Sequence, residues 1–121
     1  MRKLMMMVAL VALVVALFAT AAFAATFTCT TIPCEGTNKA DTITERTGSV
    51  ADNIFGKRGP DTINANVSGN DRDDLHGNRG GDTLNARDND GFDSLDGGPG
   101  TDECIGDAAD AFSRCEVIRT P

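Results

Sequence analysis

A glycine followed five residues later by an aspartate recurs at a regular period in four segments of the sequence. The segments are Gly36–Asp41, Gly56–Asp61, Gly77–Asp82 and Gly97–Asp102. Successive aspartates are separated by 20, 21 and 20 residues, a period that fits one coil of a β-solenoid and is too short for the usual repeats of two helices. The sequence therefore predicts stacked coils that each present one carboxylate, from Asp41, Asp61, Asp82 and Asp102, at the same place.

Each coil divides further into two nine-residue units and a spacer of two or three residues. Aspartate stands at position six of the glycine-rich units, and Asp52, Asp73 and Asp93 stand there in the units between them. The residues at position eight are Cys34, Ile43, Ile54, Ile63, Leu75, Leu84, Leu95 and Cys104. A short strand with one inward side chain, repeated twice per coil with turns between, predicts an all-β fold. We predict a right-handed parallel β-roll of about four coils with two short strands per coil.

The first 24 residues have the pattern of a signal peptide. Arg2 and Lys3 precede the apolar run 4–18, and Ala22 and Ala24 supply a small-residue cleavage signal. An uncleaved membrane anchor is the less favoured reading, because the run is short for a span of about 20 residues. We predict cleavage after Ala24, secretion to the medium or to the cell surface, and no membrane contact of the mature chain. The remaining segments are an N-terminal cap at 25–35, the repeats at 36–105 and a C-terminal cap at 106–121.

The mature chain is strongly acidic. Without the two N-terminal cations it has 9 Lys and Arg against 18 Asp and Glu, a net charge of −9. This charge disfavours binding to nucleic acid or to an anionic membrane and favours binding of cations. Of the acids, 14 are Asp and only 4 are Glu. Solubility requires no such bias, whereas tight turns and calcium loops use short carboxylates.

The four cysteines form two close pairs, one at each end of the repeats. They are Cys29 with Cys34 and Cys104 with Cys115. Export permits disulfides, but four cysteines allow three connectivities and the sequence alone does not select one. We favour the two local bridges, because each would hold one end of the array. A zinc site is disfavoured by the spacing and by the presence of a single histidine, His76.

Residues 97–104, Gly-Gly-Pro-Gly-Thr-Asp-Glu-Cys, resemble the Gly-Gly-x-Gly-x-Asp-x-apolar-x unit of the hemolysin-type (RTX) calcium-binding repeats. The units 56–64 and 77–85 match that pattern at two glycines, the aspartate and the apolar residue. The likeness covers about residues 34–105 and is particularly close to small exported actinobacterial proteins of this repeat type. It implies a parallel β-roll with Ca²⁺ between the turns of adjacent coils, bound by position-six aspartates and by backbone carbonyls of the turns.

The resemblance implies the following ligand set. On the glycine-rich side the ligands are Asp41, Asp61, Asp82 and Asp102, with the turn glycines Gly56, Gly59, Gly77, Gly80, Gly97 and Gly100. The position-six aspartates of the opposite side, Asp52, Asp73 and Asp93, are further candidates for metal binding. The pattern departs from the family where Lys39 replaces a glycine, and where Thr37, Lys57 and Asn78 occupy position two. We therefore predict that Asp41 belongs to the weakest site, and that Asp82 and Asp102 belong to the most family-like one.

Electrostatics supports calcium independently of the resemblance. Stacked coils place neighbouring position-six carboxylates about 4.8 Å apart, where two charges repel by roughly 3.5 kcal/mol at an effective dielectric constant near 20. Ca²⁺ accepts six to eight oxygen ligands in flexible geometry, whereas Mg²⁺ demands stricter geometry and keeps its waters. We predict that calcium binding is coupled to folding and that the calcium-free chain is largely disordered.

The side opposite the glycine-rich turns is dense in acids, and either a second, looser cation-binding face or a plain solvated acidic surface would account for them. The acids are Asp71, Asp73, Asp74, Asp88, Asp90 and Asp93.

The outward residues form two predicted rows, Thr42, Thr62 and Thr83, and Thr44, Asn64 and Asn85. Such a ladder suits an ice-binding or surface-binding solenoid, although polar residues on a solvent-facing sheet explain it more simply. No catalytic motif is present in the sequence, so an enzyme is not predicted.

Overall fold

The structure, a computed structural model, describes residues 24–48 and 50–121. The predicted signal peptide lies outside the described residues except for Ala24. The strands are β1 (Ala25–Thr28), β2 (Cys34–Glu35), β3 (Asp41–Thr44), β4 (Asn53–Arg58), β5 (Thr62–Asn64), β6 (Asp74–Arg79), β7 (Thr83–Asn85), β8 (Ser94–Asp96), β9 (Glu103–Ile105), β10 (Ala111–Ser113) and β11 (Val117–Arg119). Within this described part, no helix is long and apolar enough to cross a membrane.

The strands alternate between two parallel sheets. The first sheet has the order β1-β3-β5-β7-β9-β11 and the second has the order β10-β8-β6-β4-β2. Because each strand pairs with the strand two places along the chain, every coil contributes one short strand to each sheet. The structure therefore confirms an all-β parallel solenoid of about four coils with two short strands per coil.

Two kinds of connection join the sheets and define the two sides of the molecule. The glycine-turn side consists of residues 36–41, 56–61, 77–82 and 97–102, which lead from the second sheet to the first. The acidic-loop side consists of residues 45–48, 50–52, 65–73, 86–93 and 106–110, which lead back from the first sheet to the second. Each side thus brings equivalent residues of successive coils close together.

The position-eight residues are stacked between the sheets and form most of the core, to which Cys29, Ala65 and Ala86 also belong. All eight are buried, as their spacing predicts: Cys34, Ile43, Ile54, Ile63, Leu75, Leu84, Leu95 and Cys104. Within the first sheet Ile43, Ile63 and Leu84 lie directly opposite one another, and the pairing continues to Cys104. One apolar side chain per strand is therefore enough to form a continuous column, because adjacent coils have the same register.

The end segments add strands to both sheets. Strand β10 pairs with β8, and β11 pairs with β9, which places Phe112 beside Leu95 and Ile118 beside Cys104. Disulfides join Cys29 to Cys34 and Cys104 to Cys115, with Cα–Cα distances of 5.5 and 5.9 Å. The favoured local connectivity is confirmed, and one bridge lies at each end of the stack.

The outward rows of the first sheet align as predicted. Thr42, Thr62 and Thr83 are paired in register, and so are Thr44, Asn64 and Asn85. Strand β1 adds Thr26 and Thr28 to these rows, whereas β9 ends them with Glu103 and Ile105. The two rows are therefore aligned as predicted in β3, β5 and β7, but β9 has neither threonine nor asparagine in either row.

Candidate metal-binding sides of the solenoid

The position-six aspartates of the glycine-turn side form a continuous hydrogen-bonded row. The backbone N–H of Asp41 donates to Oδ1 of Asp61 at 2.8 Å, that of Asp61 donates to Asp82 at 2.8 Å, and that of Asp82 donates to Asp102 at 2.7 Å. The N–H of Asp102 donates to Oε2 of Glu116 at 2.8 Å. The structure thus brings the four predicted aspartates together and adds Glu116, which the repeat pattern does not mark.

The second carboxylate oxygen distinguishes the members of this row. Oδ2 of Asp61, Asp82 and Asp102 is buried and has no hydrogen-bond partner. In contrast, Oδ2 of Asp41 accepts a hydrogen bond from the backbone N–H of Thr37 at 2.6 Å. A buried acceptor without a partner is costly, so three of the four aspartates present an oxygen that a cation would satisfy.

The position-one glycines make room for these oxygens. A Cβ atom at Gly56 would lie 2.4 Å from Oδ2 of Asp61, and one at Gly77 would lie 2.4 Å from Oδ2 of Asp82. Gly97 follows the same pattern, at 2.7 Å from the carboxylate of its own turn. Any larger residue at position one would therefore occupy the space into which the unpartnered carboxylate oxygen projects.

The position-four glycines make room for backbone carbonyls. A Cβ atom at Gly80 would lie 1.9 Å from the carbonyl oxygen of Gly59, and one at Gly100 would lie 1.5 Å from that of Gly80. Carbonyl oxygens of successive turns therefore stack against bare Cα atoms. Together with the carboxylates, they supply the oxygen-only donor set that Ca²⁺ prefers.

Burial also changes the acidity of the glycine-turn row. Removal from water raises the pKa of Asp61 to about 7, and it raises the pKa of Asp82 and Asp102 above the ordinary value. The backbone N–H donors oppose this shift, and the neighbouring carboxylates of the row reinforce it. The row is thus an unfavourable place for bare negative charge, which either a proton or a cation would relieve.

The acidic-loop side repeats the same hydrogen-bonded arrangement. The N–H of Asp52 donates to Oδ1 of Asp73 at 2.7 Å, that of Asp73 donates to Asp93 at 2.8 Å, and that of Asp93 donates to Asp110 at 3.2 Å. The three aspartates predicted on this side therefore lie in one row. Asp110 extends it, although the segment that contains Asp110 lacks the nine-residue pattern.

Further carboxylates surround this second row and form three groups. The groups are Glu45 with Asp71 and Asp73, Asp71 with Asp88 and Asp90, and Asp90 with Asp93 and Asp110. In each group the ligand oxygens lie within 4.8 Å of one another. Among the described residues such groups occur only on this side and contain only carboxylates. Oxygen donors without histidine or cysteine favour a hard cation over zinc or copper.

Burial perturbs the acids of these groups strongly. It raises the pKa of Glu45 to about 8, that of Asp93 to about 7 and that of Asp73 to about 6, and the charges of neighbouring carboxylates add to all three shifts. The pKa values of Asp88 and Asp110 are raised for the same reason. Glu45 could not be recognised from the repeat, because it stands in a spacer rather than at a repeat position.

The cations of the acidic loops leave the three groups without counter-charges. Arg46 forms an ion pair with Asp52, with Nη2 2.8 Å from Oδ1, and its backbone N–H also donates to that carboxylate. Asp52 is thereby satisfied and belongs to none of the groups. Arg72 donates to the carbonyl of Phe92, and Arg87 donates to the carbonyls of Gly106 and Arg119.

Comparisons with protein-family models, curated proteins and solved structures found no match to this chain.

Proposed function

We propose that this protein is an exported, non-catalytic calcium-binding solenoid of the hemolysin-type repeat kind. The observation that carries the proposal is the glycine-turn row. Asp61, Asp82 and Asp102 are each at most 2% exposed, and each has one oxygen that holds the neighbouring coil and another without a partner. Ca²⁺ between coils would satisfy the free oxygens and bring in the adjacent turn carbonyls as further ligands.

Folding of the protein depends on this ion binding in our proposal. Among the described residues, eleven acidic residues are buried, as many as the buried apolar residues that form the core. Buried charges without counter-ions oppose folding, and an ion that binds only the folded state adds about 2.7 kcal/mol at 100 times its dissociation constant. Several ions bound along the stack would therefore decide whether the coils form.

Export rests on two features that agree with each other. The signal-peptide pattern at residues 1–24 predicts secretion, and both cysteine pairs form disulfides in the folded chain. Disulfides persist in oxidising compartments, where calcium is also available at higher concentration than in the cytosol. A calcium-dependent fold suits that location, because the chain would stay unfolded before export.

Circular dichroism and calorimetry of the mature chain, residues 25–121, test this function. We expect EGTA to abolish the β-sheet signal, excess Ca²⁺ to restore it, and Mg²⁺ at the same concentration to restore less. Asp82→Asn should weaken calcium binding, whereas Asp74→Asn serves as the matched control because its side chain is 45% exposed on a strand. A spectrum that EGTA and calcium leave unchanged, with no heat of binding, would refute the proposal.

A further inference from the structure

The two sides of the solenoid differ sharply in local charge. The glycine-turn side contains four acids and four cations, so its residues are balanced overall. The acidic-loop side contains nine acids and three cations, a net charge of −6. Repulsion between carboxylates that lie within 4.8 Å of one another destabilises the folded state. The acidic-loop side therefore has the greater need of bound cations.

Buried oxygens without partners occur in each carboxylate group of this side. Glu45 and Asp93 are each 1% exposed, and Oε2 of Glu45 and Oδ2 of Asp93 have no hydrogen-bond partner. Both carboxylate oxygens of Asp71 are likewise buried and unpartnered. The three groups are therefore more than exposed acids that happen to be close, because their free oxygens are already removed from water.

Two aspartates belong to two groups each. Asp71 lies in the first and second groups, and Asp90 lies in the second and third. We propose that the acidic-loop side binds three Ca²⁺ ions in a row, with Asp71 and Asp90 each shared by two neighbouring ions. Asp71 suits this role because it has one free oxygen for each neighbour. Three divalent ions would also balance the net charge of −6 on these loops.

This inference rests on the proposed calcium-binding function and adds a second set of calcium sites to it. The acidic loops lack the glycine pattern of the family, so their sites are formed from side chains rather than from turn carbonyls. Three carboxylates per ion provide a denser negative donor set than the single carboxylate per coil of the glycine-turn row. We expect the acidic-loop ions to bind first, since ligand charge raises calcium affinity.

Native mass spectrometry of the mature chain in calcium tests the shared ligands by counting retained ions. Asp71→Asn should lose two ions relative to the wild type, because two groups contain Asp71. Asp88→Asn should lose one, because a single group contains it, and Asp74→Asn should lose none. Equal losses for Asp71→Asn and Asp88→Asn would overturn the sharing while calcium binding itself stands. A wild-type chain that retains no calcium would overturn both proposals.

Crystals of the wild-type protein soaked with terbium provide a second measurement that needs no variant. Anomalous scattering should show three peaks between the acidic loops, about one coil spacing of 4.8 Å apart. Peaks confined to the glycine-turn side would contradict the inference and leave the proposed calcium function intact. No peak on either side would contradict both.

Discussion

Gly77 shows how closely the backbone approaches a carboxylate in this fold. A Cβ atom at this position would meet Oδ2 of Asp82 at 2.4 Å and the backbone carbonyl of Gly97 at 2.7 Å. We expect Gly77→Ala to destabilise the calcium-loaded protein by about 1–3 kcal/mol, the usual cost of overpacking, and to weaken calcium binding at Asp82. Thermal unfolding in calcium and calcium titration would measure the two effects.

Gly81 supplies the matched control for that substitution. It lies in the same turn, but an added Cβ would meet only the carbonyl oxygen of Thr101, at 3.3 Å. Gly81→Ala should therefore change stability and calcium affinity little. If the two alanine variants behaved alike, the close approach at position one would not be what requires glycine there.

Position two of the glycine-rich units requires a backbone conformation that most residues disfavour. Asn78 has φ 71°, and Gly98 occupies the equivalent position of the next coil with φ 92°. Asparagine tolerates the left-handed region and glycine adopts it freely, whereas alanine pays roughly 1–2 kcal/mol. We expect Asn78→Ala to lower the free energy of unfolding by about that amount and Asn78→Gly to leave it nearly unchanged. Urea unfolding in saturating calcium would show whether the two variants separate.

At the scale of strands and loops, the rows of buried carboxylates predict how the calcium-free fold responds to pH. Burial raises the pKa of Asp61 and Asp93 to about 7 and that of Glu45 to about 8. The folded chain therefore retains protons that the unfolded chain releases near pH 4. Because the folded state binds more protons over this interval, its stability falls as pH rises from about 4 to about 8.

We accordingly expect the chain in EGTA to gain β-sheet signal on acidification from pH 8 to pH 5. Saturating calcium should reverse the trend, because the ions compete with protons for the same oxygens and bind better at the higher pH. Circular dichroism across this pH range, with and without calcium, measures both effects. A calcium-free signal that rises with pH would show that the buried carboxylates do not control folding.

The strands and the core were predictable because they depend on a fixed spacing. Ile63 and Leu84 occupy the same position in units 21 residues apart, and the structure stacks them directly. The three carboxylate groups were not predictable in the same way. Glu45 and Asp90 lie outside the position-six pattern, and their contacts depend on the path of each acidic loop between coils. The sequence shows only that acids are dense there.

The C-terminal strands could not be predicted from the repeat spacing either. Residues 106–121 lack the glycine-to-aspartate pattern, and the sequence predicts only a cap for the last coil. The chain nevertheless forms β10 and β11 in register with the preceding coil. Glu116 accepts from the backbone N–H of Asp102 the hydrogen bond that a position-six aspartate accepts in the other coils. A glutamate thus takes the place of the aspartate that a further repeat would supply. The 20- or 21-residue period does not identify Glu116, because its longer side chain comes to this position from outside the repeat register.

For the molecule as a whole, the disulfides and the proposed calcium ions stabilise different parts of the stack. The bridges Cys29–Cys34 and Cys104–Cys115 span 5 and 11 residues and hold the first and last coils. Short loops of this size contribute roughly 2–3 kcal/mol each in the chain-entropy account. The carboxylate rows run along the whole stack, so their aspartates also lie beside the central strands, where the structure has no disulfide among the described residues.

Reduction and calcium removal should therefore have separable effects. With calcium present, we expect reduction to speed amide hydrogen exchange in β1, β2, β10 and β11 while β5, β6 and β7 stay protected. With the disulfides intact, EGTA should instead remove protection from all the strands, because the proposed calcium sites run along the whole stack. Replacing only Cys104 and Cys115 by alanine is the matched control, because it should loosen the C-terminal end alone. Uniform loss of protection on reduction in calcium would mean that the coils unfold as one cooperative unit, since local opening requires parts of unequal stability.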